Sequence, residues 1–423
     1  MLWHFVRLCQ IDCAELIGIL CYFIAIFYRH FESLMFAFSE KFSAVLPKLP
    51  SARATLMVSL FLLLSTSLLM IASASIPFAM NNGLHPMRFF WSQLLYVGLG
   101  VIGAAVIYRL PMNLFRNFNN ILIMYLGLVV LLILTLIFAD SINGSKRWLN
   151  VAGFSIQAAE IAKMVMVFVA AEYVVRRSAE MRDAIWTGWR LLIWYAPVIF
   201  ALIFQPDFGS SAVLGATLLV IAFIGGSPVR DYMVIFGLFF SAAVAAILMS
   251  DYRRERLFSF VDPFDDIQDT DYQLARSLIA FGRGEFSGVG YGDSVQKLSH
   301  LPEAHTDFLI AITGEELGFI GVVFVLVLEA LIVLSIMRIS LAALKRNQLY
   351  LSYTVFGFGT VFFGQVCINI GMNMGILPTK GLTLPFYSFG GSAMLVSLAM
   401  IGYILKVDAE SVGIERRGNS RSY

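Results

Sequence analysis

The chain predicts an all-α, polytopic membrane protein of about ten transmembrane helices, with a large extracytoplasmic loop between helices 7 and 8. Three observations carry this. First, 59% of its 423 residues are hydrophobic and only 14% are charged, at a mean hydropathy of +0.80; a soluble protein of this length could not bury so much apolar surface in one core. Second, the apolar residues come in runs of about 20, the number that crosses a hydrocarbon layer of about 30 Å at roughly 1.5 Å per residue. Third, Lys and Arg gather in alternate short loops, as they do on the cytoplasmic side of membrane proteins.

The chain divides into an N-terminal extension (1–54), a ten-helix membrane domain (55–407) that includes the outer loop (250–306), and a cytoplasmic tail (408–423). In the extension, the run Leu16 to Phe27 is apolar but short, ends at Tyr28-Arg29-His30 and lacks a small-residue cleavage site. It reads as a cytoplasmic or interfacial amphipathic segment; a tilted crossing that would put Met1 outside is the alternative. Leu56 to Ile76, Phe89 to Tyr108 and Ile121 to Ala139 are charge-free spans. The fourth, Phe154 to Val175, carries Glu160 and Lys163 on one helical face, and Glu172 near its end. Spans follow at Trp189 to Phe204, Gly209 to Ile224, Met233 to Met249, Phe308 to Met337, Leu351 to Ile370 and Gly391 to Leu405.

With the first span starting inside, the inner short loops hold ten basic residues, from Arg109 to Arg346, against four in the outer ones: Arg88, Lys146, Arg147 and Lys380. Both termini then lie in the cytoplasm. The segment 250–306 falls outside. Its aromatics, its Asp262-Pro263 turn, its glycine-rich stretch Phe281 to Gly292 and the helix-like Tyr272 to Phe281 predict a folded element on the membrane surface. The glycine pattern has no GK[ST] and no surrounding βαβ unit, so it is not a phosphate loop. The net charge of +2 and the lack of a basic tract argue against nucleic acid, and the four cysteines fit neither a disulfide framework nor a zinc motif.

The stretch His300 to Gly318, HLPEAHTDFLIAITGEELG, concentrates chemistry. Glu303, His305 and Asp307 stand at the head of an apolar run, and Glu315 and Glu316 lie within it. A carboxylate at mid-membrane costs roughly 2.5–3.5 kcal/mol on insertion scales, so such residues default to a functional reading. The bland reading of Asp307 or Thr306 is a helix N-cap. Glu303 could share a helical face with Asp307, and at least one of Glu315 and Glu316 would satisfy helix neighbours. Gln205-Pro206-Asp207 marks a broken span, where Asp207 is either a cavity acid or a cap for the next helix. The segment Pro378 to Ser392 predicts a re-entrant or tightly folded outer loop.

LPEAHTDFLIAITGEELG, the preceding YQLARSLIAFGRGEFSGVGYGDSVQKL, GSKRWLNVAGFSIQAAEIAK, QPDFGS and LPTKGLTLPFYSFGGS stand in one order over about Leu56 to Asp408. Together they resemble the SEDS family of cell-wall polymerases, most closely its division branch. One departure is Gln157-Ala158-Ala159-Glu160, where the family usually has Gln-Pro; the missing proline removes a rigid turn at the helix start.

The resemblance implies a peptidoglycan glycosyltransferase that polymerises lipid II, with undecaprenyl pyrophosphate leaving and Asp307, at the position of the family's essential carboxylate, as general base. Desolvation at the membrane boundary would raise the Asp307 pKa toward a useful range. Lys163 either reaches the pyrophosphate or tunes Asp307, or simply pairs with Glu160. Arg147 and Lys380 are candidate phosphate clamps, with interface anchoring as the alternative. Gln205, Asp207, Glu303, His305, Thr379 and Ser388 complete the substrate-site candidates. A pyrophosphate leaving group is compatible with a divalent cation such as Mg or Mn, although no ligand spacing for one stands in the chain. Implied partners are lipid II and undecaprenyl-linked glycan, a class B penicillin-binding protein (a transpeptidase), other divisome proteins and the membrane, and the implied place is the bacterial inner membrane at the septum. A lipid II flippase and a non-catalytic scaffold are the competing readings; clustering of acids on the outer face favours the polymerase.

Overall fold

A computed structural model of the chain describes residues 50–139, 146–151, 154–183, 187–227, 233–234, 236–238, 241, 272–298, 300–378 and 381–419. The N-terminal extension, the seventh span for the most part, and Thr379 and Lys380 lie outside the described residues. Among the described residues, six helices are long and apolar enough to cross a membrane. They are α1 (Ala52–Asn81), α2 (Arg88–Arg109), α4 (Phe118–Phe138), α10 (Leu309–Lys345), α11 (Leu349–Asn373) and α12 (Gly391–Asn419). Between them run a short α3 (Asn113–Arg116), a two-stranded hairpin of β1 (Trp148–Val151) and β2 (Phe154–Gln157), α5 (Ala158–Arg176), α6 (Ser178–Asp183), α7 (Thr187–Phe204), α8 (Phe208–Ile224) and α9 (Tyr272–Gly284). The all-α, polytopic expectation holds, with one small sheet added.

That sheet corrects the fourth span. Residues 154–157 are extended and pair antiparallel with 148–151, so that Trp148 faces Gln157, and the helix begins only at Ala158. Ser392 holds the hairpin to the head of α12: its hydroxyl donates to Ser155 O and accepts from Gln157 N. Without a proline before Glu160, the hairpin's last residue Gln157 serves as N-cap in extended conformation. The tail is also longer in helix than expected, since α12 continues past residue 408 to Asn419.

α5 is the central post, and most of its residues are buried. It packs on α4, α8 and α11, which explains how a span with Glu160 and Lys163 is tolerated: both face protein. At its inner half, Phe168 meets Phe115, Phe358 and Tyr403 at ring-centroid separations of 5.0–5.5 Å, tying α3, α11 and α12 to it. Alternation of helix direction gathers one set of helix ends, those at 81/88, 138, 158, 204/208, 309, 373 and 391, where nearly all the candidate residues lie.

α10 outruns its expected end at Met337 and is two helices, broken at Gly318 (φ 67°, ψ −165°). In an uninterrupted helix the carbonyls of 315 and 316 would accept from the amides of 319 and 320. Here Glu315 O and Glu316 O accept from Val289 N and Gly290 N, while Phe319 N and Ile320 N donate to Glu285 O and Phe286 O, at 3.0–3.3 Å. The segment 285–290 is thus inserted into the ladder and satisfies all four freed groups, the condition for irregular backbone at membrane depth. Glycines permit the approach: a Cβ on Gly284 would sit 1.8 Å from Gly314 O, and one on Gly288 2.2 Å from Glu316 O. Because both obstacles are backbone, Gly284→Ala is expected to lower thermal stability sharply, by about 3 kcal/mol or more, the range of severe overpacking; detergent-solubilised melting curves against wild type check this.

Candidate active site

Asp307 closes a run of turns that leads into α10. It is not the cap of that helix. Phe308 occupies the N-cap position and no side chain caps it, so the carboxylate is left free of the bland duty the sequence allows. What is held is its main chain: Asn369 and Asn373, one turn apart on α11, each donate a side-chain amide to Asp307 O at 3.0 Å. Asn369 also donates to Leu382 O at 2.6 Å, fixing the 381–390 segment to the same point. These two asparagines were missed in the sequence. The available signal was a pair of amides at i and i+4 near the outer end of an apolar span, where polar groups are seldom idle.

The carboxylate is half-buried and faces other charges. Burial pushes its pKa up to about 7; Glu303 and Asp207 add to the rise and Arg147 opposes it. Arg147 leads into β1. Its guanidinium donates to the carbonyls of Gln205 (Nε, 3.4 Å) and Pro206, so the broken α7–α8 connection supplies the cradle for the cation. Gly381 lies between carboxylate and guanidinium: a Cβ placed there would meet Asp307 Oδ2 at 3.1 Å and Arg147 Nη1 at 3.6 Å. A carboxylate and a guanidinium therefore flank a gap kept open by a residue without a side chain.

The other candidates sort by their contacts. Asp207 caps α8, accepting from Ser210 N and Ser210 Oγ at 3.2 and 2.9 Å, and Gln157 Nε2 reaches it at 3.4 Å. It acts on Asp307 as a fixed negative charge. The Gln205 side chain turns away to donate to Leu132 O at 3.3 Å; its carbonyl, not its amide, serves the site. Glu303 does not share a helical face with Asp307, because 301–307 is a series of turns. It is exposed, has φ 54°, and accepts from Thr306 Oγ1 at 2.8 Å.

His305 is buried among Phe78, Phe89 and Phe389, with ring centroids 4.9, 4.7 and 5.8 Å away. Burial lowers its pKa, against the smaller opposing pull of Glu303, so the ring is a neutral aromatic wedge and its carbonyl accepts from Phe389 N. Ser388 is buried and closes its own turn, accepting from Leu384 N at 3.0 Å, rather than opening toward the gap. Lys163 lies 2.7 Å from Glu160, both buried. Among the described residues the ammonium makes no well-directed hydrogen bond, so this pair is electrostatic and incompletely satisfied.

Among the described residues no group of three His, Cys, Asp or Glu side chains is placed to hold a metal ion. What they do offer is a base with a pKa near neutrality facing a fixed cation, the arrangement required to deprotonate one oxygen while stabilising charge on another.

Residues 53–412 match the model of the FtsW/RodA/SpoVE family, described as cell cycle proteins. The probable peptidoglycan glycosyltransferase FtsW of Acinetobacter baylyi is 38% identical over 378 residues, 88% of this chain and 93% of that protein. Its namesake from Marinomonas mediterranea is 40% identical over 368 residues, 86% and 89% of the two chains. Among solved structures, a chain described under structural coordination of polymerization and crosslinking by a peptidoglycan synthase complex superposes with a TM-score of 0.65 at 26% identity, covering 81% of this chain and 96% of its own. The rod shape determining protein RodA of Thermus thermophilus follows at 0.61 and 25%, covering 84% and 96%.

Proposed function

Since the chain belongs to the FtsW/RodA/SpoVE family, we propose that it is a peptidoglycan glycosyltransferase polymerising lipid II into glycan strands during septal wall synthesis. The observation that carries this reading is the uncapped Asp307 carboxylate, with its pKa near 7, set across Gly381 from Arg147. The Asp307 carboxylate takes the proton from the 4-hydroxyl of one disaccharide. That oxygen bonds to the anomeric carbon of the other, and the anomeric carbon–oxygen bond to pyrophosphate breaks, its electron pair leaving with undecaprenyl pyrophosphate. The Arg147 guanidinium, preorganised by two carbonyls, meets the charge gathering on the leaving group. Thr379 and Lys380, which directly precede Gly381 in the sequence, are further candidates for contacts to the leaving group.

Relatives named FtsW favour the division role. A neighbour from a complex that both polymerises and crosslinks favours a class B transpeptidase as partner. The Lys/Arg bias of the short loops supports a gap on the outer face and both termini in the cytoplasm.

Labelled lipid II supplied to the purified protein with its transpeptidase partner should yield glycan strands. Only the ionised carboxylate is a base, so turnover should rise with pH and reach half its plateau near pH 7 on the acid side. No strands, while a known polymerase works in the same assay, would move the reading to a flippase or scaffold.

A further inference from the structure

The break at Gly318 diverts the Glu315 and Glu316 carbonyls from the helical ladder to the inner piece of α10, so the outer piece, residues 309–317, is coupled to it less tightly than in a continuous helix. Its placement is also fixed from the side. Asn369 and Asn373 hold its head through Asp307 O. At its foot stands Lys297, a buried cation that the reaction does not use. Its ammonium has three donors and all three are filled: Glu316 Oε1 at 2.7 Å, Ser73 Oγ at 2.8 Å and Gly292 O at 2.6 Å. Ser73 itself donates to Glu316 at 2.6 Å. One cation thus joins three parts of the chain: the outer segment (Gly292, Lys297), α1 (Ser73) and the outer piece of α10 (Glu316).

We infer that Lys297 is a positioning residue, clamping Glu316 to Ser73 so that the outer piece of α10 presents Asp307 to Arg147 across the Gly381 gap. This rests on Asp307 being the base. The neighbouring Glu315 is held differently, by Arg283 at 3.1 Å, Ser294 and the amides of Val295 and Gln296, all from the outer segment itself. The Glu316 clamp is therefore the charged link from this piece to α1. A shift of about 1 Å at a reacting group can cost as much as 100-fold in rate, and a half-helix released from α1 at its foot would permit one.

The test uses the full chain with its transpeptidase partner and lipid II, comparing Ser73→Ala, the double variant Lys297→Met with Glu316→Gln, and Asp307→Asn. The double variant removes both charges together, since a lone buried carboxylate would unfold the site rather than report on it. Expected are a fall in kcat of about tenfold or more, a KM for lipid II within about twofold of wild type, as a purely transition-state loss leaves ground-state binding alone, and a lowered acid-side midpoint. The midpoint falls because Asp307 would relax toward water and away from Glu303, Asp207 and Arg147, the charged groups that face it. Ser73→Ala should move the same quantities in the same direction by less, and it decides the matter if the double variant fails to fold. Unchanged kcat and midpoint, or a kcat loss that only tracks the folded fraction with the midpoint fixed, overturns the inference. Turnover by Asp307→Asn overturns instead the base assignment beneath it.

Discussion

Asp307→Asn is expected to lose glycan polymerisation by about 1,000-fold or more, within the range that a general base contributes, and to melt higher than wild type at neutral and alkaline pH. The first effect follows from chemistry: an amide cannot take the 4-hydroxyl proton. The second follows from linkage. The folded pKa of about 7 lies above the ordinary 3.8, chiefly because burial disfavours the charge. Between these values the folded protein holds a proton that the unfolded chain has released. Stability from this group is therefore fully present below about 3.8 and is lost as pH rises through about 7. Above that, the folded state carries an unfavourable charge that asparagine lacks.

Melting curves of the two proteins should consequently converge near pH 4 and separate by a few degrees above pH 7, a size typical of about 1 kcal/mol in a large domain. Partial exposure keeps the effect at that modest level despite the large shift. A variant that is inactive and less stable at pH 8 would indicate that Asp307 is a structural carboxylate. The pairing of lost activity with gained stability is the signature of a group held at a cost for its function.

The sequence identified the carboxylates of this region correctly as unusual but could not say what held them. Glu315 and Glu316 stand inside an apolar run, and a helix reading makes them neighbours on a continuous span. Only the tertiary structure reveals that 285–290 enters the ladder at Gly318, because backbone carbonyls carry no residue-specific signal. The same glycine-rich stretch lacks the marks of a phosphate loop, and its use is a close backbone approach to 314–318. Asp307 was legible because an acid at the head of a span has a price on any membrane scale. Its keepers Asn369 and Asn373 were legible in principle, as amides one turn apart. Lys163 drew attention for the same physical reason as Asp307, yet its partner one turn back, Glu160, accounts for its contact.

Gly381→Val should reduce polymerisation by about 100-fold, and Gly381→Ala by about tenfold, the scale of loss when reacting groups are displaced by up to about 1 Å, with both proteins folded. The backbone at Gly381 lies outside the left-handed region, so a side chain brings no conformational strain of its own. Any loss must come from what the side chain meets: Asp307 Oδ2 at 3.1 Å and Arg147 Nη1 at 3.6 Å. A methyl at 3.1 Å from an oxygen forces a shift of a few tenths of an ångström, which the half-exposed carboxylate can make; two further carbons fill the gap between base and cation and leave no room for a sugar hydroxyl. If the space is where the reaction occurs, kcat/KM falls in the order glycine, alanine, valine while the melting temperature holds. A valine variant polymerising at the wild-type rate would mean that the hydroxyl and pyrophosphate meet elsewhere, and that Arg147 holds Asp307 without touching the leaving group.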